Sequence, residues 1–327
     1  MDRSIRDDPL PCAASLFRRA RLAVNAFFFT PATARPLAAL RVGLAAVLLA
    51  QAAALRTELV DYVTRDGLFQ GDLGRAFASM TGPHIDDLRR CLSPLGLGEA
   101  QVALAAGAVY VAALVLLGLG VFPRIAALFA WFLHWTLMNS AKPLVYGVDQ
   151  YAHIFLFYLV WVPSGRAWSL GAALRRARPS PTATARLGLR VMQIHMAISY
   201  LASGLGKATL FHWWNGEQIW RALLLPDYRQ FDMSWLAAWP VLAQLACLAT
   251  LAIETGYCIF IWPKRTRWLW IAATLGLHLG IATLMGLHFF GAVMCMLTFT
   301  LFGVSPEPSR RSSTPAELLP DACRPQR

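Results

Sequence analysis

At 327 residues, with 57% hydrophobic content and only 15% charge, the chain departs from a soluble domain, in which about a quarter of residues are charged. The formal charge of +12 does not read as a nucleic-acid footprint, because the arginines fall between long apolar stretches, where they set membrane orientation. The six cysteines show neither CxxC nor metal-ligand spacing, which argues against a disulfide framework or a structural metal.

The first 35 residues are polar and Arg-rich, without the apolar region and cleavage site of a signal peptide. Within them, SLFRRARLAVNAFFF (15–29) sets clustered arginines before a Phe-rich end, as in an amphipathic helix lying on the inner membrane surface. A disordered basic tail is the alternative. A spanning helix needs about 20 apolar residues, and eight candidates follow, at 37–56, 101–122, 125–142, 145–163, 187–207, 240–262, 267–285 and 287–304. Asp149 and His153 interrupt the fourth. Little more than Gly286 separates the last two, which predicts a tight hairpin. The expected fold is all-α: a polytopic transmembrane helical bundle of about eight spans with an N-terminal amphipathic interfacial helix. Residues 1–35 read as a cytoplasmic basic segment, 36–305 as one membrane domain, and the Pro-, Ser- and Arg-rich 306–327 as a disordered cytoplasmic tail. No internal repeat is evident.

Arginine counts give an orientation. The N-terminal segment, the loop holding Arg166, Arg175, Arg176, Arg178 and Arg186, the Lys264–Arg267 turn and the C-terminal tail all fall on one side of an eight-span bundle. The positive-inside rule places that side, with both termini, in the cytoplasm of a cell bounded by an inner membrane. Segments 57–100 and 208–239 then face outward. In the latter, Trp213, Trp214, Trp220, Tyr228 and Trp235 suit a membrane–water boundary and predict short interfacial helices.

This topology sets the depth of the polar groups. Lys207 stands at the outer end of the fifth span. Asn139, Lys142, Tyr146 and Asp149 stand at the outer boundary, His153 one turn deeper, His278 two turns below the end of the seventh span, and His288 at the start of the eighth. Ionisable groups in spans are costly and face a cavity or one another, so one outward-facing pocket, with Trp214 at its rim, is the simplest common explanation. Other readings stay open. Lys207 is one of only three lysines beside 27 arginines, and of the two types only the amine readily gives up its proton; it also suits a snorkelling anchor. Asp149 suits a pair with Lys142 or a helix cap. Each histidine suits an interhelical hydrogen bond, His134 and His195 above all. Glu254 is a costly carboxylate, either protonated or paired with a group the sequence does not identify. The HxxH, HExxH, GxGxxG and P-loop patterns are absent.

Four motifs in order carry a resemblance. VNAFFFTPATARPLAALR (24–41) pairs aromatics with a Pro and small-residue linker ahead of an arginine in the first span. YGVDQYAHIFLFYLVWVPSGRAWSL (146–170) runs from aromatic-Gly-x-Asp to a Pro-x-Gly and Trp-Ser ending. SYLASGLGKATLFHWWNGEQIW (199–220) holds Gly-hydrophobic-Gly-Lys followed by Trp and a Gly turn. HLGIATLMGLHFF (278–290) joins the last two spans. Together, over residues 20–304, they resemble the HTTM family, the membrane domain shared with vitamin K-dependent gamma-carboxylases.

The resemblance implies an integral membrane enzyme using a reduced quinone of vitamin K or menaquinone type with O2 and CO2. It implies Lys207 as the base that starts the reaction and His278 as a stabiliser of developing negative charge. Asp149, His153, Tyr146, Asn139, Trp214 and His288 would line the substrate and quinone pocket. For Lys207 to act as a base it must be neutral, which requires an apolar surrounding and no close carboxylate. Two departures stand out. The carboxylases have an Asn-His pair where this chain has Gly147-Val148-Asp149. They also carry an extensive external domain, whereas this chain stops soon after its last span. A separate secreted peptide or soluble partner protein is therefore expected, beside membrane lipid and no nucleic acid. The alternative function is a non-enzymatic membrane partner in maturation of, or immunity to, a secreted peptide toxin, as compact bacterial relatives of the family suggest.

Overall fold

The computed structural model describes residues 10–68, 73–78, 82–174 and 180–307. Nearly all of the tail expected at 306–327 lies outside them, as does the start of the basic segment. Helices and their connections make up the described residues, and the one β-bridge joins Ala32 to Thr182.

Nine helices carry the architecture: α1 (Leu10–Phe29), α2 (Arg35–Ala54), α3 (Glu99–Leu119), α4 (Pro123–Ser140), α5 (Gly147–Trp161), α6 (Ala183–Ala208), α7 (Pro240–Phe260), α8 (Lys264–Met285) and α9 (His288–Thr298), the last running on through a π-turn at Phe299–Gly303. Each of the eight expected spans is matched by one of α2 to α9, with ends shifted by a few residues. Four of them, α2, α3, α7 and α8, are long and apolar enough to cross a membrane. The others differ for local reasons. α5 has 15 residues and α9 has 11, while α4 and α6 are diluted by Arg124, His134, Asn139, Arg186, Arg190 and Lys207.

Helix boundaries follow local chemistry. Proline opens α2, α4 and α7, where a missing N–H costs nothing. Thr182 caps α6 by accepting from the Ala185 amide at 3.3 Å. Gly120 and Gly286 end α3 and α8 at φ values of 70° and 72°, a left-handed conformation that costs glycine little. The second of these makes the predicted hairpin into α9.

Leu37, Leu40, Leu44 and Leu48 line the buried stripe of α2 at helical spacing, packed with Phe155, Leu156 and Leu159 of α5. Small residues set the approach of the neighbours: Ala103, Ala106, Gly107 and Ala113 on α3, and Ala126, Ala127 and Ala130 on α4 are all buried. The outer face of α3 stays just as apolar, with Leu104, Val109, Val115 and Leu116 exposed. Water would not tolerate such a face; lipid does.

One end of the bundle gathers three distant pieces of chain. The Thr33 amide and hydroxyl donate to the Pro306 carbonyl, Ala32 exchanges backbone bonds with Thr182, and the Arg186 Nε donates to the Thr30 carbonyl. Arg190 lies over the Phe27 ring at 4.2 Å and donates to the Phe27 carbonyl. Two guanidiniums thus satisfy carbonyls at the C-terminal end of α1, where the helix dipole favours positive charge. At the opposite end, Phe211–Trp214 and Glu217–Leu224 form short helices in the Trp-rich segment, as expected.

Candidate functional site

Two polar centres lie at the end of the bundle away from the α1 anchor. The first is built on one stripe of α6. Tyr200, Ser203, Gly204 and Lys207 recur at i, i+3, i+4 and i+7, so they share a face. That face meets α7 at Glu254. Lys207 Nζ donates to Glu254 at 2.8 Å (Oε1) and 2.6 Å (Oε2), and to Ser203 Oγ at 2.6 Å. It also stands 5.4 Å from the centre of the Trp213 ring. The Lys207 side chain is 25% exposed and that of Glu254 only 9%. Beside them Tyr200 stacks on Tyr257 at 4.1 Å, and its hydroxyl meets His278 Nε2 at 2.7 Å. His278 is buried, and its Nδ1 has no hydrogen-bond partner among the described residues.

The expected setting of Lys207, an amine free of any carboxylate, is corrected here. Glu254, expected to be either protonated or paired with a group the sequence does not identify, is paired: it clamps the amine with both oxygens. The physical reason is mutual need: a polar group among apolar helices requires a hydrogen-bonding partner, and each supplies the other's.

The second centre lines a cavity of about 770 Å³ between α2, α3, α4 and α5. Most of its wall is apolar. Asp149 is bonded through Oδ1 to Gln51 Nε2 at 2.8 Å and through Oδ2 to the Tyr146 amide at 3.2 Å. Deeper, His134 bridges the Asp149 carbonyl through Nε2 at 3.0 Å and the Tyr110 hydroxyl through Nδ1 at 3.0 Å. A carbonyl only accepts, so Nε2 carries the proton and Nδ1 accepts from Tyr110. Asp149 is therefore a helix cap and a partner of Gln51; the alternative pairing with Lys142 is not made.

The eight residues expected in one pocket do not line the same cavity. Only Asp149 and Tyr146 are on the large cavity's wall. Asn139 is a staple for the outer loop, its Nδ2 donating to the Gly82 and Pro83 carbonyls at 3.1 Å each. His153 is packed among indoles, 5.4 Å from Trp131 and 5.6 Å from Trp135, with its Nδ1 unpartnered among the described residues. Trp214 ties down the turn after α6 through its Nε1 to the Ala208 carbonyl at 2.8 Å. His288 opens α9 beside Phe289, which reaches the cavity wall while His288 does not. Sequence position places these groups along their helices; helix rotation decides which way they face.

Four contributors were missed. Gln51 is the one amide in α2 and Tyr110 the one hydroxyl in α3, and a polar group in such an apolar run marks a buried bond. Tyr200 stands two turns before Lys207 on its stripe. Arg41, fully buried in α2, donates to the Ser164 carbonyl at 3.2 Å and the Trp168 carbonyl at 2.5 Å, pinning the loop after α5. His195 meets the Tyr158 hydroxyl at 2.9 Å, the interhelical bond expected of it.

No protein-family description, no curated protein and no solved structure matches this chain.

Proposed function

We propose that the chain is an integral membrane enzyme of eight spans, lodged in an inner membrane with both termini cytoplasmic and α1 along the inner surface. It transfers a proton to or from a peptide or small molecule at the outer face. One observation carries this reading: the Lys207 amine is held by Glu254 and Ser203, yet a quarter of its side chain stays accessible. The two groups are in direct hydrogen-bond contact, so a proton can move between them without an intervening water. One N–H bond breaks and one O–H bond forms as the proton passes from Nζ to a Glu254 oxygen. The amine then takes a proton from the substrate, and Glu254 holds the first until the cycle closes. Arginine cannot do this, because its guanidinium stays charged. His278, held by Tyr200, presents the second polar group.

The reduced quinone, with O2 and CO2, comes from the HTTM resemblance alone. An apolar cavity of about 770 Å³ suits such a ring in size. Lys207 and His278 are not on its wall, however, so the residues present do not make one quinone-and-lysine site, and no step is derived through that group.

A non-enzymatic role, as a membrane partner of a secreted peptide toxin, is favoured by the same clamp taken as a lock. Bidentate Glu254 and the Trp213 face both hold the amine in place. The two readings separate in purified protein assayed in D2O for turnover as deuterium uptake by the peptide or small molecule that copurifies with it. The enzyme reading expects turnover that Lys207→Arg abolishes at unchanged folding. Equal turnover in Lys207→Arg removes the base; no turnover in the wild type, with a peptide or protein copurifying, favours the partner role.

A further inference from the structure

The cavity between α2, α3, α4 and α5 has a charge pattern that neither centre's chemistry explains. Two charged residues lie on its wall, Asp149 and Arg56. Asp149 is satisfied by an amide side chain and a backbone N–H, and no cation pairs with it among the described residues. Arg56, just past the end of α2, donates to the Ala53 carbonyl at 2.7 Å and likewise has no carboxylate partner among the described residues. An anion and a cation thus stand on one apolar wall, neither neutralised by the protein.

The remaining polar groups sharpen the pattern. Because Tyr110 donates to His134, its oxygen offers lone pairs; Asp149 offers more. The Tyr62 and Tyr146 hydroxyls on the wall donate as well as accept, so the preference for a cation there rests on Asp149. A ligand bearing several N–H donors and a positive charge is complemented there, and an anionic headgroup is repelled. Leu104 and Val111 line the cavity and remain 53% and 39% exposed on the outer face of α3, so the opening is toward the apolar surroundings.

We propose that this cavity is a headgroup site for a phospholipid bearing a primary amine, of the phosphatidylethanolamine type. Its ammonium lies against Asp149, its phosphate near Arg56, and its chains leave past Leu104 and Val111. A quaternary ammonium lacks the N–H donors, and a hydroquinone can donate but leaves Asp149 without a counter-charge. The site does not depend on the role given to Lys207.

The test uses the full chain extracted in mild detergent from bilayers containing phosphatidylethanolamine, phosphatidylcholine, phosphatidylglycerol and menaquinol. The retained molecules are then quantified by mass spectrometry. The wild type is expected to keep phosphatidylethanolamine selectively, and Asp149→Asn to lose it by about tenfold or more. Arg56→Gln should weaken phosphatidylethanolamine and phosphatidylcholine alike, and Lys207→Arg should change neither. Should Asp149→Asn fail to fold, Ala108→Phe narrows the cavity from the lipid-facing side of α3 and must lower retention. Preferential retention of phosphatidylglycerol or menaquinol overturns the assignment, and so does phosphatidylethanolamine binding unchanged in either cavity variant.

Discussion

Lys207 and Glu254 meet where Gly204 has already drawn their helices together. A Cβ at position 204 would stand 2.8 Å from Thr255 Cγ2 and 2.9 Å from the Thr255 amide nitrogen, so α6 and α7 touch backbone to backbone one turn from the ion pair. The contact explains how a short carboxylate on one helix reaches both sides of an amine on the other.

Removing one member of the pair leaves the other charge stranded. A fully buried pair broken this way costs about 3–5 kcal/mol. Lys207 is partly exposed, so Lys207→Ala or Glu254→Gln should cost on the order of 2 kcal/mol. Thermal unfolding in detergent reads this directly. The exchange Lys207→Glu with Glu254→Lys should recover part of the loss, and no recovery would mean that the pair contributes little to folding.

Gly204→Ala should cost about 1–3 kcal/mol, because a methyl placed against a neighbouring backbone cannot be absorbed by a rotamer change. Gly206 faces open space, and Gly206→Ala should be neutral or slightly stabilising. Equal Tm values for the two variants would contradict the close contact at Gly204.

Arg41→Met should destabilise by about 3 kcal/mol or more, since the Ser164 and Trp168 carbonyls lose their donor inside the protein. Arg41→Lys should recover only part, an ammonium being unable to reproduce the planar fork. Gly120→Ala should resemble Arg41→Met, because its Cβ would lie 2.4 Å from Ser169 Cβ and 2.5 Å from Arg41 Nη1 at a φ of 70°. Proteolysis at the 163–170 loop, rising in all three, checks the assignment.

The outer loop should weaken on acidification. His84 caps Ile85–Cys91 by accepting from the Asp86 amide through Nδ1 at 3.2 Å, which needs that nitrogen unprotonated. Burial holds its pKa below the ordinary 6.5, against the opposing pull of Asp86. The unfolded chain therefore takes up the proton first, and stability falls as pH drops below about 6.5. Asp87, lowered chiefly by its bond to Arg75, adds a loss only at more acid pH, below its ordinary 3.8. Amide exchange over 85–91 between pH 8 and 5 should show the decline, and His84→Asn, an uncharged cap, should flatten it. A slope unchanged in that variant would assign it to other groups.

Much of the architecture was legible because its causes are local. Length and apolarity mark the helices, prolines open α2, α4 and α7, and Gly286 divides one apolar run into α8 and α9. The depth of each polar residue follows from the same count along a rising helix. Even the stripe of Tyr200, Ser203 and Lys207 can be drawn from spacing alone.

Facing is another matter. A rotation of one residue turns a side chain by about 100° about the helix axis, and only packing against neighbours fixes that angle. No pattern near Lys207 points to Glu254, 47 positions later; the approach of α6 to α7 at Gly204 selects it. Of the two readings of Asp149, the helix cap holds and the pair with Lys142 does not; its other oxygen lies against Gln51, 98 positions earlier. The sequence determined which groups sit toward one end of the bundle and that each would need company there, because an apolar surrounding tolerates no lone charge. The tertiary structure decided which of them are partners, because only the contact between helices brings distant side chains within bonding reach.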